Sequence, residues 1–307
     1  MTGGEGFVGG HLRARLAEAG HEVVATALDP SRSDGALRSL DVLDAPAVRA
    51  VIEDVRPERV FHLAGFSSGA AARDRAAEAL RTNAEGTLNV LESVARTGAA
   101  GVRVVVAGSA DAYGDPGPDA LDEDTPVSPV SAYGASKAAQ ELVALAVAST
   151  RDLDVRVARM FPLIGPGQSD AFAVPAFCRQ AAAIAAREAE PVLRVGNLDV
   201  ERDFLDVRDG AAALTALGDL DRPGRRAYNV CSGRATSLRT LLAWILEAAG
   251  IDPEIEVDPD RVRPSDPPRI VGSARRLRAA TGWEPVREVR EGVREAYSWV
   301  QRSQGSR

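Results

Sequence analysis

One lysine, Lys137, stands in a chain of 307 residues that carries 36 arginines. Arginine cannot replace a lysine where a site needs a compact ammonium beside another titrating group, so this lysine is a candidate for chemistry. Tyr133 lies four residues earlier, and in a helix these two positions share one face with β-carbons roughly 6 Å apart. A phenol beside an ammonium is expected to have a lowered pKa and to donate a proton. The alternative is a codon preference for arginine that left one lysine by chance.

A glycine-rich segment opens the chain, with Gly3, Gly6 and Gly9 ahead of a predicted helix. In dinucleotide-binding folds the first glycine permits a tight turn, the second admits a pyrophosphate to backbone N–H groups, and the third lets helix and sheet pack closely. Such a turn follows a buried strand, yet only Met1 and Thr2 precede it here. The first strand is therefore expected to be missing from the numbered chain. Either the start codon is placed downstream of the true one, or the protein lacks this strand and another segment completes the core.

The elements that carry these residues alternate between short β-branched runs and amphipathic helices. This alternation predicts an α/β protein with a Rossmann-like, doubly wound parallel sheet. After Phe161 the pattern loosens, which predicts a smaller C-terminal α/β lobe that binds substrate. We expect a dinucleotide-binding domain over 1–160, to which some later segments return, and a lobe over 161–307. The predicted strands are 21–27, 58–63, 102–107, 153–159, 192–195, 227–230 and 254–257, and the predicted helices are 45–55, 74–97, 131–149 and 237–249.

Composition excludes several classes of function. A net charge of −7 argues against a nucleic-acid surface. No run approaches the 18 or so apolar residues of a membrane span, and the first residues do not read as a signal peptide, so we expect a soluble, cytoplasmic protein without a membrane partner. Neither the two cysteines nor the three histidines show ligand spacing, so no metal site is expected.

The nicotinamide cofactor, NAD(P)(H), is left open between NAD and NADP. An acidic residue after the second strand would bind a ribose hydroxyl, whereas an arginine would accept a 2′-phosphate, and both types occur, as Asp29 and Arg32. His62 is expected to be a satisfied residue at a strand end and not a catalytic one. The cofactor-binding set is Gly3, Gly6, Phe7, Val8, Gly9, Asp29, Asp41, Val42, Leu63, Ala64, Tyr133 and Lys137.

Several motifs together resemble the extended short-chain dehydrogenase/reductase family. They are TGGEGFVGG at 2–10, FHLAG at 61–65, Ser109 and YGASK at 133–137. The segments RMFPLIGPGQ at 159–168, LRVGNLDVERDFLDVRD at 193–209, YNVCSG at 228–233 and RPSDPP at 263–268 look like the nucleotide-sugar epimerase/dehydratase branch. The likeness is strongest to the group that contains GDP-4-keto-6-deoxy-D-mannose reductase and GDP-mannose 4,6-dehydratase.

The resemblance implies a role for each matching residue. Tyr133 would be the acid/base, Lys137 would lower its pKa and bind the nicotinamide ribose, and Ser109 would bind the sugar O4. Asn83 would hold a water for proton relay, unless it is a helix residue that faces solvent. Arg202 and Arg263 would clamp the diphosphate and Asp266 would reach a ribose hydroxyl, the alternative for these three being surface salt bridges.

Two departures from the family pattern concern the reaction. Pro162 stands where relatives have an asparagine, so one substrate contact is absent. Asp111 stands where relatives place a glutamate, and a dehydratase needs a carboxylate to remove the sugar C5 proton, unless Asp111 is only a turn residue. This favours an NAD(P)-dependent reductase of the 4-keto group of a GDP-4-keto-6-deoxyhexose. The alternatives are a GDP-mannose 4,6-dehydratase, a nucleotide-sugar 4-epimerase, or a non-enzymatic dinucleotide-binding scaffold or sensor.

The resemblance also implies a homodimer. Helices 74–97 and 131–149 carry more apolar residues than one core-facing stripe requires, and in this family such helices pair as a four-helix bundle. The alternative is that the second lobe covers them.

Overall fold

The computed structural model describes residues 1–29, 37–98, 101–115, 117, 119–221, 224–262 and 267–304. The expected α/β class is confirmed, because parallel strands alternate with helices along the chain. The helices in these ranges are α1 (Phe7–Glu18), α2 (Ala45–Val55), α3 (Gly69–Arg73), α4 (Ala76–Leu80), α5 (Gly86–Arg96), α6 (Ala132–Arg151), α7 (Ala173–Ala185), α8 (Val207–Asp219), α9 (Leu238–Ala249), α10 (Arg275–Thr281) and α11 (Val289–Gln304). The strands are β1 (Thr26–Ala27), β2 (Arg38–Ser39), β3 (Arg59–His62), β4 (Arg103–Ser109), β5 (Asp154–Met160), β6 (Leu163–Ile164), β7 (Val192–Val195), β8 (Glu201–Asp203), β9 (Leu205–Asp206), β10 (Arg225–Val230), β11 (Ala235–Ser237), β12 (Glu254–Val257) and β13 (Arg269–Ile270).

A parallel sheet forms the centre of the first half of the chain. β3, β4, β5 and β10 are hydrogen-bonded neighbours in that order, and β1 pairs with β2. Thr2 joins the two groups through parallel bridges to Thr26 and His62. The order across the sheet is therefore β2-β1-Thr2-β3-β4-β5-β10, the doubly wound arrangement expected from the sequence. β10 belongs to the second half, so the chain does return to the first sheet.

Helices cover both faces of this sheet. Neighbouring residues of a strand point to opposite faces. Val105 of β4 packs in a core with residues of α1 and α8, whereas Val104 and Val106 pack in a core with residues of α2, α5 and α6. Because both faces are covered, the open end for a ligand is the edge where the strands finish, at Ser109 of β4 and His62 of β3.

The place expected for the missing first strand is held by Met1 and Thr2. The Met1 ammonium donates to Val24 O at 2.7 Å, and Thr26 N donates to Met1 O at 2.9 Å. The strand predicted over 21–27 is observed only as β1, Thr26–Ala27. A small apolar cavity lies next to Met1 and Thr2. The apolar residues that line it include Val24, Leu40, Val48, Val51, Ile52, Val55, Val60 and Val90.

The segment predicted as a helix over 74–97 is helical from Ala76 to Arg96 and contains one irregular turn. α4 and α5 are joined by one turn of π-helix, Arg81–Glu85. Such a turn is rare and occurs mostly at functional sites. It contains Asn83, a candidate residue, whose side chain it turns toward α6.

A second core lies in the C-terminal half. α7, α9 and α11 pack around β7, with Phe177, Leu193, Leu241 and Val293 buried among them. β7 pairs with β12, and β8 lies between β11 and β13. The two halves meet near the glycine turn, where His11 Nε2 lies 2.9 Å from Pro166 O.

None of the described helices combines the length and the apolar composition that a bilayer crossing requires. Within the same ranges no group of three metal-ligating side chains occurs.

Candidate active site

The start of α6 places Tyr133 and Lys137 in the interior. The Ser131 hydroxyl caps the helix by accepting a hydrogen bond from Gly134 N at 3.0 Å. Gly134 lies directly beneath the turn that follows β4, since a Cβ there would stand 2.4 Å from Asp111 O. This close approach brings the end of β4 against the helix. Tyr133 and Lys137 are both buried, at 7% and 6% exposure.

Ser109 and Tyr133 lie close enough that the Ser109 hydroxyl, as a hydrogen-bonding group, acts to lower the pKa of Tyr133. The Ser109 oxygen accepts a hydrogen bond from Asp111 N at 3.1 Å. Ser109 is the last residue of β4, so the strand fixes its position at the edge where ligands of such sheets bind. Asp111 lies two residues further on, in a short 3-10 turn, and is exposed. The structure places these three residues close together.

The pKa of Tyr133 is raised, not lowered as the sequence predicted. Burial is the main cause because it disfavours the phenolate, and the negative charge of Asp111 adds to it, while the hydrogen bond from Ser109 acts in the opposite direction. Helical spacing alone suggested that the ammonium would dominate. The Lys137 ammonium instead makes its hydrogen bonds to other groups.

Lys137 donates two hydrogen bonds inside the protein. Its Nζ lies 2.9 Å from Ala107 O in β4 and 2.9 Å from Gln140 Oε1, one turn along α6. Burial lowers the pKa of Lys137 to about 8. The ammonium is therefore held by neutral acceptors in a dry environment, which is where a compact lysine differs most from arginine.

Asn83 is completely buried beside these residues. Its Oδ1 accepts from Phe66 N at 2.9 Å and its Nδ2 donates to Ser136 Oγ at 2.8 Å. The alternative that Asn83 faces solvent is wrong, because the π-helical turn directs it toward α6. A Cβ on Gly65 would stand 2.3 Å from Asn83 Oδ1 and 4.0 Å from Lys137 Nζ, so Asn83 reaches the same pocket as the lysine.

The glycine turn has the shape that a pyrophosphate requires. Gly3 has a φ of +69°, and a Cβ there would collide with the backbone of Ala64 at 2.7 Å. A Cβ on Gly9 would stand 2.2 Å from Gly3 O. α1 begins at Phe7 with no acidic residue in its first turn, so its free N–H groups and positive end suit an anion. These residues fit a dinucleotide.

The other predicted cofactor residues line the same edge of the sheet with different exposure. Val42 is buried against Gly86, whereas Asp29 and Asp41 are exposed and Leu63 and Ala64 are half-buried. Residues 30–36 lie outside the described ranges, and with them Arg32, so the choice between a ribose hydroxyl and a 2′-phosphate rests on Asp29 alone in this structure.

The substrate residues predicted in the C-terminal half are only partly described. Arg202 of β8 is half-buried and its Nη1 donates to Glu201 O at 2.7 Å. Arg263 and Asp266 lie outside the described residues. Asp203, next to Arg202, is buried and accepts from Ser232 N, Gly233 N and Gly272 N, so it fixes the loops on either side of β8.

Comparison with known proteins decides the family. The family model for GDP-mannose 4,6 dehydratase matches residues 1–296. The chain belongs to this family. GDP-6-deoxy-D-mannose reductase of Pseudomonas aeruginosa is 35% identical over 98% of this chain and 97% of its own length. dTDP-glucose 4,6-dehydratase of Streptomyces griseus is 30% identical over 97% of this chain and 92% of its own. The structure of RMD from Pseudomonas aeruginosa complexed with NADPH superposes with a TM-score of 0.86 and 32% identity, over 98% of each chain.

The GDP-mannose 4,6-dehydratase family thus accounts for the motifs, and the expected kinship with extended short-chain dehydrogenases is confirmed. Sequence reasoning missed the buried groups behind the site in this family member. Arg159 donates to Tyr113 OH at 2.6 Å and pairs with Glu141, and Tyr113 OH donates to Asn229 Oδ1 at 2.8 Å. The available signal was Gln140-Glu141, two polar residues one turn after Lys137 in an otherwise apolar helix.

Proposed function

We propose that this protein is an NAD(P)H-dependent reductase that acts on the 4-keto group of a GDP-linked 4-keto-6-deoxyhexose. The observation that carries the proposal is the placement of Tyr133 beside Ser109, the last residue of β4, and one helical turn before the buried ammonium of Lys137. Two hydroxyl donors at the open edge of a dinucleotide-binding sheet can bind one carbonyl oxygen. The similarity to GDP-6-deoxy-D-mannose reductase supports the same reaction.

Tyr133, Ser109 and Lys137 would each have a separate role in this reaction. A bound reduced nicotinamide supplies the hydride for C4 of the sugar. Tyr133 gives its phenolic proton to O4 as negative charge develops there, and Ser109 donates a hydrogen bond to the same oxygen. The raised pKa of Tyr133 keeps the phenol protonated at neutral pH, which is the form that reduction requires. Lys137, one helical turn after Tyr133, would bind the nicotinamide ribose through its ammonium.

The cofactor would lie along the edge of the sheet. Its pyrophosphate fits the Gly3–Gly9 turn and the N-terminus of α1, and its adenosine fits near Val42. The similar RMD structure binds NADPH, so NADPH is one candidate cofactor for this chain. NAD is the other candidate. The nucleotide of the sugar would bind in the C-terminal half, over 161–307, with Arg202 on its diphosphate.

A 4,6-dehydratase is the second candidate, and Asp111 favours it. This carboxylate is exposed next to Tyr133 and could remove a C5 proton. A dehydratase begins by oxidising the sugar, for which Tyr133 has to lose its proton first. A reductase would use the same tyrosine, so the pKa of Tyr133 does not separate the two reactions, and the 35% identity to GDP-6-deoxy-D-mannose reductase favours reduction.

Substrate conversion distinguishes a reductase from a 4,6-dehydratase. We expect NADPH oxidation only when a GDP-4-keto-6-deoxyhexose is supplied, with no conversion of GDP-mannose alone. Tyr133→Phe should lower kcat by about a thousandfold, while Tyr297→Phe, in the second core, should keep it. Conversion of GDP-mannose without net cofactor consumption would identify a dehydratase. Equal rates for wild type and Tyr133→Phe would show that Tyr133 is not catalytic and would favour a protein that only binds the dinucleotide.

We also propose that the protein forms a homodimer, and the exposure of one apolar side chain supports this. Leu142 of α6 is 62% exposed, so the alternative in which the second lobe covers this helix does not hold for that residue. Sedimentation should detect a dimer in the wild type and a monomer for Leu142→Glu, whereas Val286→Glu, at an 82% exposed site, should stay a dimer. A wild-type monomer would contradict this. The cytoplasmic location also remains a prediction.

A further inference from the structure

A chain of buried hydrogen bonds leads from the candidate lysine to the glycine turn. Lys137 Nζ donates to Gln140 Oε1 at 2.9 Å, and Gln140 Nε2 donates to Thr87 Oγ1 at 2.9 Å. His62 Nε2 lies 2.9 Å from Thr87 Oγ1, and His62 Nδ1 lies 2.8 Å from Thr2 Oγ1. The exposure of these five side chains is 6% or less. They come from four separate elements, which only the fold brings together.

The direction of each hydrogen bond in the chain is determined. Thr87 donates its hydroxyl hydrogen to Asn83 O at 2.7 Å, so its oxygen accepts from both Gln140 Nε2 and His62 Nε2. Burial lowers the pKa of His62 to about 3, so the ring is neutral and carries one N–H. That N–H is on Nε2, and Nδ1 accepts from the Thr2 hydroxyl.

These directions fix the amide of Gln140. Because its NH₂ group is committed to Thr87, its oxygen faces Lys137. A reversed amide would put its NH₂ group against the ammonium and its oxygen against the Thr87 oxygen, whose hydrogen is already given to Asn83 O, which is costly in a dry interior. The orientation of the acceptor for Lys137 thus depends on Thr87 in α5, the helix that precedes α6.

We propose that Gln140 and Thr87 are positioning residues, which hold the Lys137 ammonium in place before any ligand binds and connect it through His62 to Thr2 of the glycine turn. The effect on turnover rests on the reductase function proposed above. The effect on the ammonium itself does not, and it can be measured without a substrate.

The single lysine makes that measurement specific. Protein labelled with ¹³C-lysine gives one lysine side-chain spectrum, from Lys137, and its Cε shift reports the ammonium during a pH titration. The titratable groups of this network are His62 on β3, whose pKa burial and the charges of Lys137 and Met1 lower, and Tyr133, one turn earlier on α6, whose pKa burial and Asp111 raise. Loss of an ordered acceptor disfavours the charged form, so Thr87→Val should lower the pKa of Lys137 by at least about half a unit.

A matched control is available in α8. Thr215, like Thr87, is a buried helical threonine that donates to the carbonyl four residues before it, Ala211 O, at 3.0 Å. Thr215→Val should leave the lysine titration unchanged. Thr87→Ser keeps the hydroxyl and should restore the wild-type titration, which a loss of packing alone would not allow.

Kinetics provide the second measurement. Thr87→Val should lower kcat by about tenfold and change KM for the keto-sugar by less than about twofold, because a positioning defect acts on the reacting geometry. Thr87→Ser should recover most of kcat. If Thr87→Val does not fold, Gln140→Leu, which removes the acceptor itself, provides the same two measurements.

The results separate this proposal from the proposed function. An unchanged lysine titration in folded Thr87→Val, or the same shift in Thr215→Val, would overturn the positioning role. A wild type that reduces no keto-sugar would refute the reductase function only, and the titration would still decide on the positioning role.

Discussion

Arg159 and Glu141 form a buried ion pair between β5 and α6. Arg159 Nε donates to Glu141 Oε2 at 2.8 Å and its Nη2 donates to Oε1 at 2.5 Å. The same guanidinium donates to Tyr113 OH, which follows the turn that contains Asp111. The pair therefore connects β5, α6 and that turn.

Glu141→Gln is expected to cost about 3–5 kcal/mol of unfolding free energy, because it leaves the buried charge of Arg159 without its counterion. Urea denaturation measures this loss. Glu92→Gln is the control: Glu92 pairs with Arg151 by two similar hydrogen bonds, at 3.0 and 3.1 Å, but at the surface. It should cost no more than about 1 kcal/mol. A similar loss of unfolding free energy in both variants would show that the stabilisation by the Arg159–Glu141 pair does not depend on its burial.

Gly9→Ala should weaken NADPH binding by about a hundredfold or prevent folding of the turn, because the new Cβ would stand 2.2 Å from Gly3 O. The dissociation constant can be followed by NADPH fluorescence. Gly10→Ala, one residue later, meets no protein atom within 4 Å and should keep the affinity. In a helix this second change should add about 1 kcal/mol of stability.

Ser109→Ala should reduce kcat by about a hundredfold with little change in NADPH affinity, since it removes one donor to the sugar oxygen. It also removes the hydrogen bond that partly offsets the raised pKa of Tyr133. The control is Ser93→Ala, since Ser93 is a buried serine of α5 whose hydroxyl donates to Asn89 O. Steady-state rates that fall equally in the two variants would point to general destabilisation.

Lys137→Arg should keep the charge yet lower kcat by about a hundredfold or more, because a planar guanidinium cannot replace an ammonium held by Ala107 O and Gln140 Oε1. NADPH oxidation measures the change. The reverse swap at an exposed position, Arg151→Lys, should have no effect on rate. A fully active Lys137→Arg would support the codon-preference explanation of the lone lysine.

The sequence predicted what depends on local spacing. The glycine turn, the Tyr133–Lys137 pair and the end of β4 at Ser109 all follow from short patterns, and the structure brings them together. The pKa of Tyr133 was predicted in the wrong direction, because burial is a property of the packed interior and not of helical register.

Short sequence patterns could not predict contacts between distant parts of the chain. Gln140 and Thr87 are 53 residues apart, and Arg159 of strand β5 reaches Glu141 of helix α6. The π-helical turn that buries Asn83 also has no local signature, since the segment reads as one continuous helix. Burial and partner choice in these cases are set by how α5, α6 and β5 pack.

The position of β10 beside β5 has a consequence for how the protein is made. Residues 225–230 complete the sheet and hydrogen-bond along the whole of β5, so a nascent chain that has reached only residue 160 presents β5 as an open edge. Such an intermediate would pair with other strands until synthesis has passed Val230. The nascent first half is thus a species that a chaperone has reason to bind, and a fragment of residues 1–160 produced on its own is expected to aggregate.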